Sequence, residues 1–169
     1  IAQDPAPILV IQPTLEMAQT WSKDRFAPML RDSPALKDLV QDPRARSSNN
    51  TILHKTFAGG HITMAGANSA SSLASRPIRI VFLDEVDRFP TSAGTEGDPV
   101  SLAKKRTTTF WNRKIIMTST PTVKGASRIE QAFSESDQRK YYVPCPKCGE
   151  FQILMWSNIR WDQDENQKH

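Results

Sequence analysis

Three short apolar runs, each closing on polar residues, set the rhythm of the chain. Ile8 to Ile11 is mostly β-branched, follows a Pro-rich start and stops at Gln12-Pro13-Thr14. Arg79 to Leu83 stops at Asp84-Glu85, and Lys114 to Met117 stops at Thr118-Ser119-Thr120-Pro121. Short apolar runs without alternation read as strands buried on both faces, the habit of parallel sheets. Between them the pattern is helical. Thr14 predicts a cap for a helix carrying Ala18, Trp21 and Phe26 and ending near Pro28. A short helix is expected over Pro34 to Val40, followed by a breaker-rich loop over 41–50. Thr51 to Phe57 and His61 to Ala65 flank Ala58-Gly59-Gly60 and predict a hairpin. Small polar residues over 66–75 suggest a loop with a short helix. After a loop over 90–97, Asp98-Pro99 opens a helix expected to reach about Thr109. Ser127 and Glu130 fit a capping box for another. Tyr141 to Val143 predicts a strand leading into Cys145-x-x-Cys148, and the tail from Ser157 is polar.

Strands alternating with helices give an α/β class with a mainly parallel sheet. Residues 1–140 read as one domain, with 141–169 as a cysteine segment and polar tail. Such sheets bind ligands at the carboxyl ends of their strands. Asp84-Glu85 and Thr118-Ser119-Thr120 both lie there, and that shared placement matters more than either motif alone.

Composition narrows the function classes. The 169 residues are 38% hydrophobic and 24% charged, ordinary for one globular domain. No apolar run approaches the roughly 20 residues of a membrane-spanning helix, and no secretory signal is visible. The chain opens on Ile1 rather than Met, so it is expected to be part of a longer protein. A net charge of +4 permits a nucleic-acid partner without demanding one. Two cysteines in one C-x-x-C are not a disulfide framework and suit a reducing compartment.

Two adjacent carboxylates on a strand end can divide two tasks. Asp84 can hold Mg²⁺, largely through water, and Glu85 can orient and deprotonate an attacking water. A plain strand ending in an acidic turn is the bland alternative, weakened by the continuation to Asp87 as D-E-x-D. Hydroxyls at Thr118, Ser119 and Thr120 can sense a γ-phosphate or its water and pass its loss to the following loop.

The segments IVFLDEVDRFP, GDPVSLAKKRTTTF, NRKIIMTSTPTVKGASRIEQAF and YYVPCPKCGEFQ resemble the lambda-type (GpA-like) large terminase subunits of tailed phages, as does ILVIQPTLEMAQTWSKDRFAPML. The resemblance covers nearly the whole chain. It implies a P-loop NTPase-like (ASCE/RecA-like) fold. It also implies an ATPase that uses ATP and Mg²⁺ to drive double-stranded DNA into a prohead in the cytoplasm of a bacterial host. The implied partners are a small terminase subunit, a portal and further copies of itself in a ring, and a nuclease domain is implied elsewhere in the full protein. Asp84 falls on the family's Walker B acid, Glu85 on its catalytic glutamate, and Thr118, Ser119 and Thr120 on its coupling motif. The phosphate-loop pattern G-x-x-x-x-G-K-[ST] occurs nowhere in the 169 residues; in the family it precedes the strand seen here at Ile8. The sheet is therefore expected to be truncated on its N-terminal side and the chain inactive alone. A DExx-type helicase or translocase, and a non-catalytic DNA-binding module, are the competing readings.

In a ring motor an arginine from a neighbour can stabilise the transferred phosphoryl group. Arg76 is the candidate, against an equal expectation of a solvated loop arginine; Arg106 and Arg128 are weaker ones. Lys104-Lys105-Arg106 reads by default as a solvated face, with DNA phosphate contact as the alternative. Trp111, Trp156 and Trp161 read as core or partner-facing. Cys145 and Cys148 look like one knuckle of a zinc ribbon, two of the four ligands that structural Zn²⁺ needs. His54 and His61 lie in the hairpin and His169 in the tail; the resemblance suggests further ligands past the C-terminus.

Overall fold

The structure, a computed structural model, describes residues 1–40, 50–74 and 76–160. Most of the segment expected to be a loop, residues 41–49, together with Ser75, Trp161 and His169, lies outside the described residues. The chain divides into two compact units, Ile1–Gln131 and Ala132–His169.

The first unit is built on β1 (Pro7–Gln12), β2 (His54–Phe57), β3 (Gly60–Gly66), β4 (Ile80–Asp84) and β5 (Lys114–Thr118), in the order β2-β3-β1-β4-β5. Only the β2–β3 hairpin is antiparallel; β3, β1, β4 and β5 run parallel. The mainly parallel α/β sheet expected from the apolar runs is the one observed. Successive residues of β1 show why its run does not alternate. Leu9 and Ile11 enter a core with Leu73, Val81 and Leu83, while Ile8 and Val10 enter another with Phe26, Ile62 and Met64. Both faces are therefore buried at the sheet centre. Towards the β5 edge the second face opens, leaving Phe82 37% and Ile116 39% exposed.

Thr14 caps α1 (Leu15–Trp21) by accepting from the Met17 N–H. The helix does not end at Pro28. A π-helical turn, Ser22–Phe26, intervenes, and α2 (Ala27–Asp32) continues through the proline. Pro28 sits in the first turn of α2, where a missing N–H costs little. Trp21 and Phe26 stack across the π turn with ring centroids 5.7 Å apart. The expected helix over Pro34 to Val40 is instead a series of turns. Of that stretch only Val40 is buried, so nothing offsets the cost of nucleating so short a helix.

A short α3 (Ala70–Ala74) precedes β4, and α4 (Pro99–Lys105) connects β4 to β5. Asp98 caps α4 through Ser101 N–H, and the helix stops at Lys105, short of Thr109. Each crossover returns the chain to the amino end of the next strand, so the strand-end polar residues gather at the opposite, carboxyl edge.

In the second unit, β6 (Val143–Pro144) and β7 (Phe151–Gln152) form a small antiparallel pair. The cysteine pair lies in the turn between them, closed by Gly149 N–H to Cys145 O at 2.8 Å.

Candidate functional site

The carboxyl ends of β1, β4 and β5 present Gln12, Asp84 and Thr118 side by side. Asp84 is in register with Thr118, and Gln12 is one residue beyond the Ile11–Leu83 pair. Thr118 Oγ1 donates to Asp84 Oδ1 at 2.7 Å, and Gln12 Nε2 donates to Asp84 Oδ2 at 2.8 Å. Two neutral donors thus fix both oxygens of one carboxylate, and each oxygen keeps a lone pair. A carboxylate held in this way fits the inner- or outer-sphere demand of Mg²⁺ for few protein ligands and retained waters. Asp84 and Thr118 also line a cavity of about 350 Å³ whose other walls are apolar, among them Val10, Phe26, Phe82 and Ile116.

Glu85 follows in a left-handed backbone conformation, φ 57° and ψ 47°. For a non-glycine residue this costs of order 1 kcal/mol or more, and such outliers gather where a side chain must be aimed. Glu85 Oε2 is buried and lies 3.2 Å from Arg88 Nε, but that N–H is not aligned on it. It accepts no hydrogen bond from a described residue. A buried carboxylate oxygen beside an unaligned guanidinium retains lone pairs that suit a water molecule, the substrate a catalytic glutamate would activate.

Asp87 ties these acids to the hydroxyl motif. Its backbone N–H donates to Ser119 Oγ at 3.2 Å. Its carboxylate accepts from Thr122 N–H at 3.0 Å, Thr122 Oγ1 at 3.2 Å and Ile129 N–H at 2.9 Å. Desolvation pushes the carboxyl up, but hydrogen bonds from the Ser127 hydroxyl, Ile129 and Thr122 outweigh it and hold the pKa at about 2. Asp87 thereby joins the turn after β4, the loop after β5 and the first turn of α5 (Arg128–Ser134). The capping box there is half formed: Glu130 N–H donates to Ser127 Oγ, while the Glu130 carboxylate accepts from Gly125 N–H. Ser119 Oγ itself donates to Thr120 O, and Thr120 is exposed.

The structure brings together Asp84, Glu85, Thr118 and Ser119, and adds Gln12 and Asp87. Gln12 carried one signal in the sequence, its place directly after an apolar run. Arg76 does not join them. It precedes β4, whereas Asp84 ends it, and four residues of strand rise alone separate the ends by about 13 Å. Arg106 donates to Ala74 O, and Arg128 to Pro90 O with Asp98 3.3 Å away, so both fasten connections within the first unit.

The cysteine knuckle is half a zinc site. Backbone N–H groups of Cys148 and Lys147, and the Cys148 thiol, lower the Cys145 pKa and favour its thiolate. Among the described residues no group of three or more metal-binding side chains exists. The zinc-ribbon reading thus finds no closed ligand set among the described residues. His54 and His61 instead pair with each other, ring centroids 5.3 Å apart.

A mainly parallel α/β sheet whose adjacent strand ends hold a carboxylate, a following glutamate and a bonded hydroxyl is the layout of a P-loop NTPase-like fold. The chain belongs to the phage terminase large subunit gpA ATPase domain family, whose model matches residues 1–169. It is 32% identical over 165 residues to the terminase large subunit of Enterobacteria phage P21, and 30% identical over 165 to that of Escherichia phage lambda. Each match covers 93% of this chain, which spans about a quarter (26%) of those relatives. Family membership sets the chain with terminases rather than helicases. Solved structures similar to it include the large terminase ATPase domain of Thermus phage P74-26, at 16% identity and TM-score 0.47, covering 73% of this chain and 51% of that one. An arginine-to-alanine mutant of the same domain matches at 18% and 0.49, covering 74% and 52%.

Proposed function

We propose that this chain supplies the metal-binding and water-activating half of the ATPase in a viral DNA-packaging motor. The observation that carries the reading is the Gln12–Asp84–Thr118 row, followed directly by Glu85 in a strained left-handed backbone conformation. Asp84 holds the Mg²⁺ of Mg-ATP, and that ion, when bound, neutralises charge on the phosphate oxygens. Glu85 Oε2 accepts the proton of the attacking water. Thr118, Ser119 and Thr120 report the state of the γ-phosphate, and Asp87 conveys it to the loop over 119–127 and to α5. Arg76 is too distant to serve the site of its own chain. The parent protein works in the host cytoplasm with double-stranded DNA, a small terminase subunit and the portal of a prohead.

The chain contains no phosphate-loop sequence, so ATP lacks its backbone N–H cradle and lysine here. The isolated 169 residues therefore bind ATP poorly and do not turn it over. Comparing Mg²⁺-dependent phosphate release by this chain and by the parent protein tests the reading. Turnover confined to the parent supports it; Glu85-dependent turnover by the isolated chain overturns the half-site account.

A further inference from the structure

The carboxyl edge of the sheet carries charges of both signs, while its amino end is mainly cationic. Asp84, Glu85, Asp87 and Asp98 stand at the carboxyl edge. At the amino end stand Arg76 before β4, Lys104, Lys105 and Arg106 at the close of α4, and Arg113 and Lys114 at the start of β5. No Asp or Glu occurs between Asp98 and Glu130, or between Ala67 and Leu83. Asp4 lies near this end too, but Arg79 engages it at 2.7 Å.

Within this basic end is a pocket of about 300 Å³ lined by Arg76, Lys105, Arg106, Thr108 and Thr109 with Ala74 and Pro77. Ile78 N–H donates to Arg106 O at 3.0 Å and holds its two walls together. Arg106 spends Nη1 on Ala74 O, while its Nε is buried without a hydrogen-bond partner. Lys105 is exposed. Three cations and no carboxylate make a receptor for phosphate oxygens. Cations do favour a helix C-terminus such as that of α4, but this does not account for Arg76.

We infer that this pocket is a second phosphate site, at the opposite end of the sheet from the nucleotide half-site, and that it grips the backbone of double-stranded DNA. The cations spread beyond the pocket to Lys104, Arg113 and Lys114, all exposed. An open surface on which cations outnumber the carboxylate of Asp4 matches a duplex, with its charge every ~1.7 Å, better than a single nucleotide. DNA as the source rests on the packaging reading, yet binding is measured without turnover, so each can fail alone.

The test is fluorescence anisotropy of a random-sequence duplex of about 20 base pairs, titrated with the chain across a salt series. Lys105→Ala should weaken binding several-fold and reduce the log–log salt slope by about one. Arg113→Ala should act in the same direction. Lys124→Ala, the same charge loss after β5 at the other end, should leave both unchanged. Wild-type affinity and slope in Lys105→Ala would overturn the proposal, as would equal losses in Lys105→Ala and Lys124→Ala. Free tripolyphosphate is the competing arm. If it binds in a Lys105-dependent way while the duplex does not, the pocket serves a nucleotide and DNA is not its ligand.

Discussion

The Thr118 hydroxyl donates a 2.7 Å hydrogen bond to Asp84 Oδ1, joining the ends of two adjacent parallel strands through side chains 34 residues apart. The contact sets the rotamer of Asp84, the acid proposed to hold the metal, and makes it sensitive to movement of the β5 strand end. Thr118→Val keeps the shape and removes the donor. In the parent protein its Mg²⁺-dependent turnover should fall about tenfold through misplacement of Asp84, and Thr118→Ser should restore most of it. Steady-state assays at varied Mg²⁺ check this; a fully active valine variant would remove the contact from the mechanism.

Strain at Glu85 gives a stability prediction opposed to the functional one. Glycine adopts the left-handed conformation freely. Glu85→Gly should therefore leave stability unchanged or raise it by up to about 1 kcal/mol, after the entropy cost of glycine in the unfolded chain. Urea denaturation reads the difference. A loss of more than about 1 kcal/mol would mean that Glu85 supports the fold rather than straining it.

Asp87 is predicted to matter for stability as well as coupling. Asp87→Ala leaves the N–H groups of Thr122 and Ile129 without their charged acceptor and should cost about 2 kcal/mol. Its folded pKa of about 2 lies below the ordinary aspartate value of 3.8. The carboxylate thus contributes stability above the unfolded value, and that contribution is lost as pH falls from there towards about 2. Wild type and Asp87→Ala should converge in thermal midpoint as acid is added. A gap independent of pH would contradict the assignment.

The histidine pair predicts a second pH effect of the opposite chemical origin. Burial lowers both pKa values, helped for His54 by Arg76 and Lys55, and for His61 by His54 and Arg76. As pH falls through the unfolded value of 6.5, the unfolded chain takes up protons that the folded chain refuses, so stability drops. The thermal midpoint should fall between about pH 7.5 and pH 5.5, and less so in a His54→Gln/His61→Gln double variant. An equal fall in both would locate the titration elsewhere.

Much of the site could be read from the sequence because parallel strands advertise themselves and deliver their last residues to one edge. Asp84 and Thr118 follow unbroken apolar runs, so their meeting needed only the rule that strand ends converge. Gln12 obeys the same rule, but a glutamine before Pro13 looks like a strand stop, and its bond to Asp84 spans 72 residues. The left-handed turn at Glu85 leaves no mark, since glutamate rarely adopts it and only tertiary contacts enforce it. Asp87 looked like one more acid until α5 and the loop after β5 folded onto it. Pro28 misled because a π turn precedes it and places it in the first turn of α2, where a proline is tolerated. The turns over Pro34 to Val40 show the converse, a helical composition that buries too little to be helical.

The central claim is that Glu85 activates the water while Asp84 holds the metal. Its most direct test is single-turnover ATP hydrolysis by the parent protein carrying Glu85→Gln, with nucleotide binding measured alongside. Glutamine retains the size and hydrogen-bonding reach of the side chain but cannot accept the proton at neutral pH. The account predicts hydrolysis slowed by about 100-fold or more with nucleotide affinity close to wild type. Hydrolysis at the wild-type rate in Glu85→Gln would contradict it.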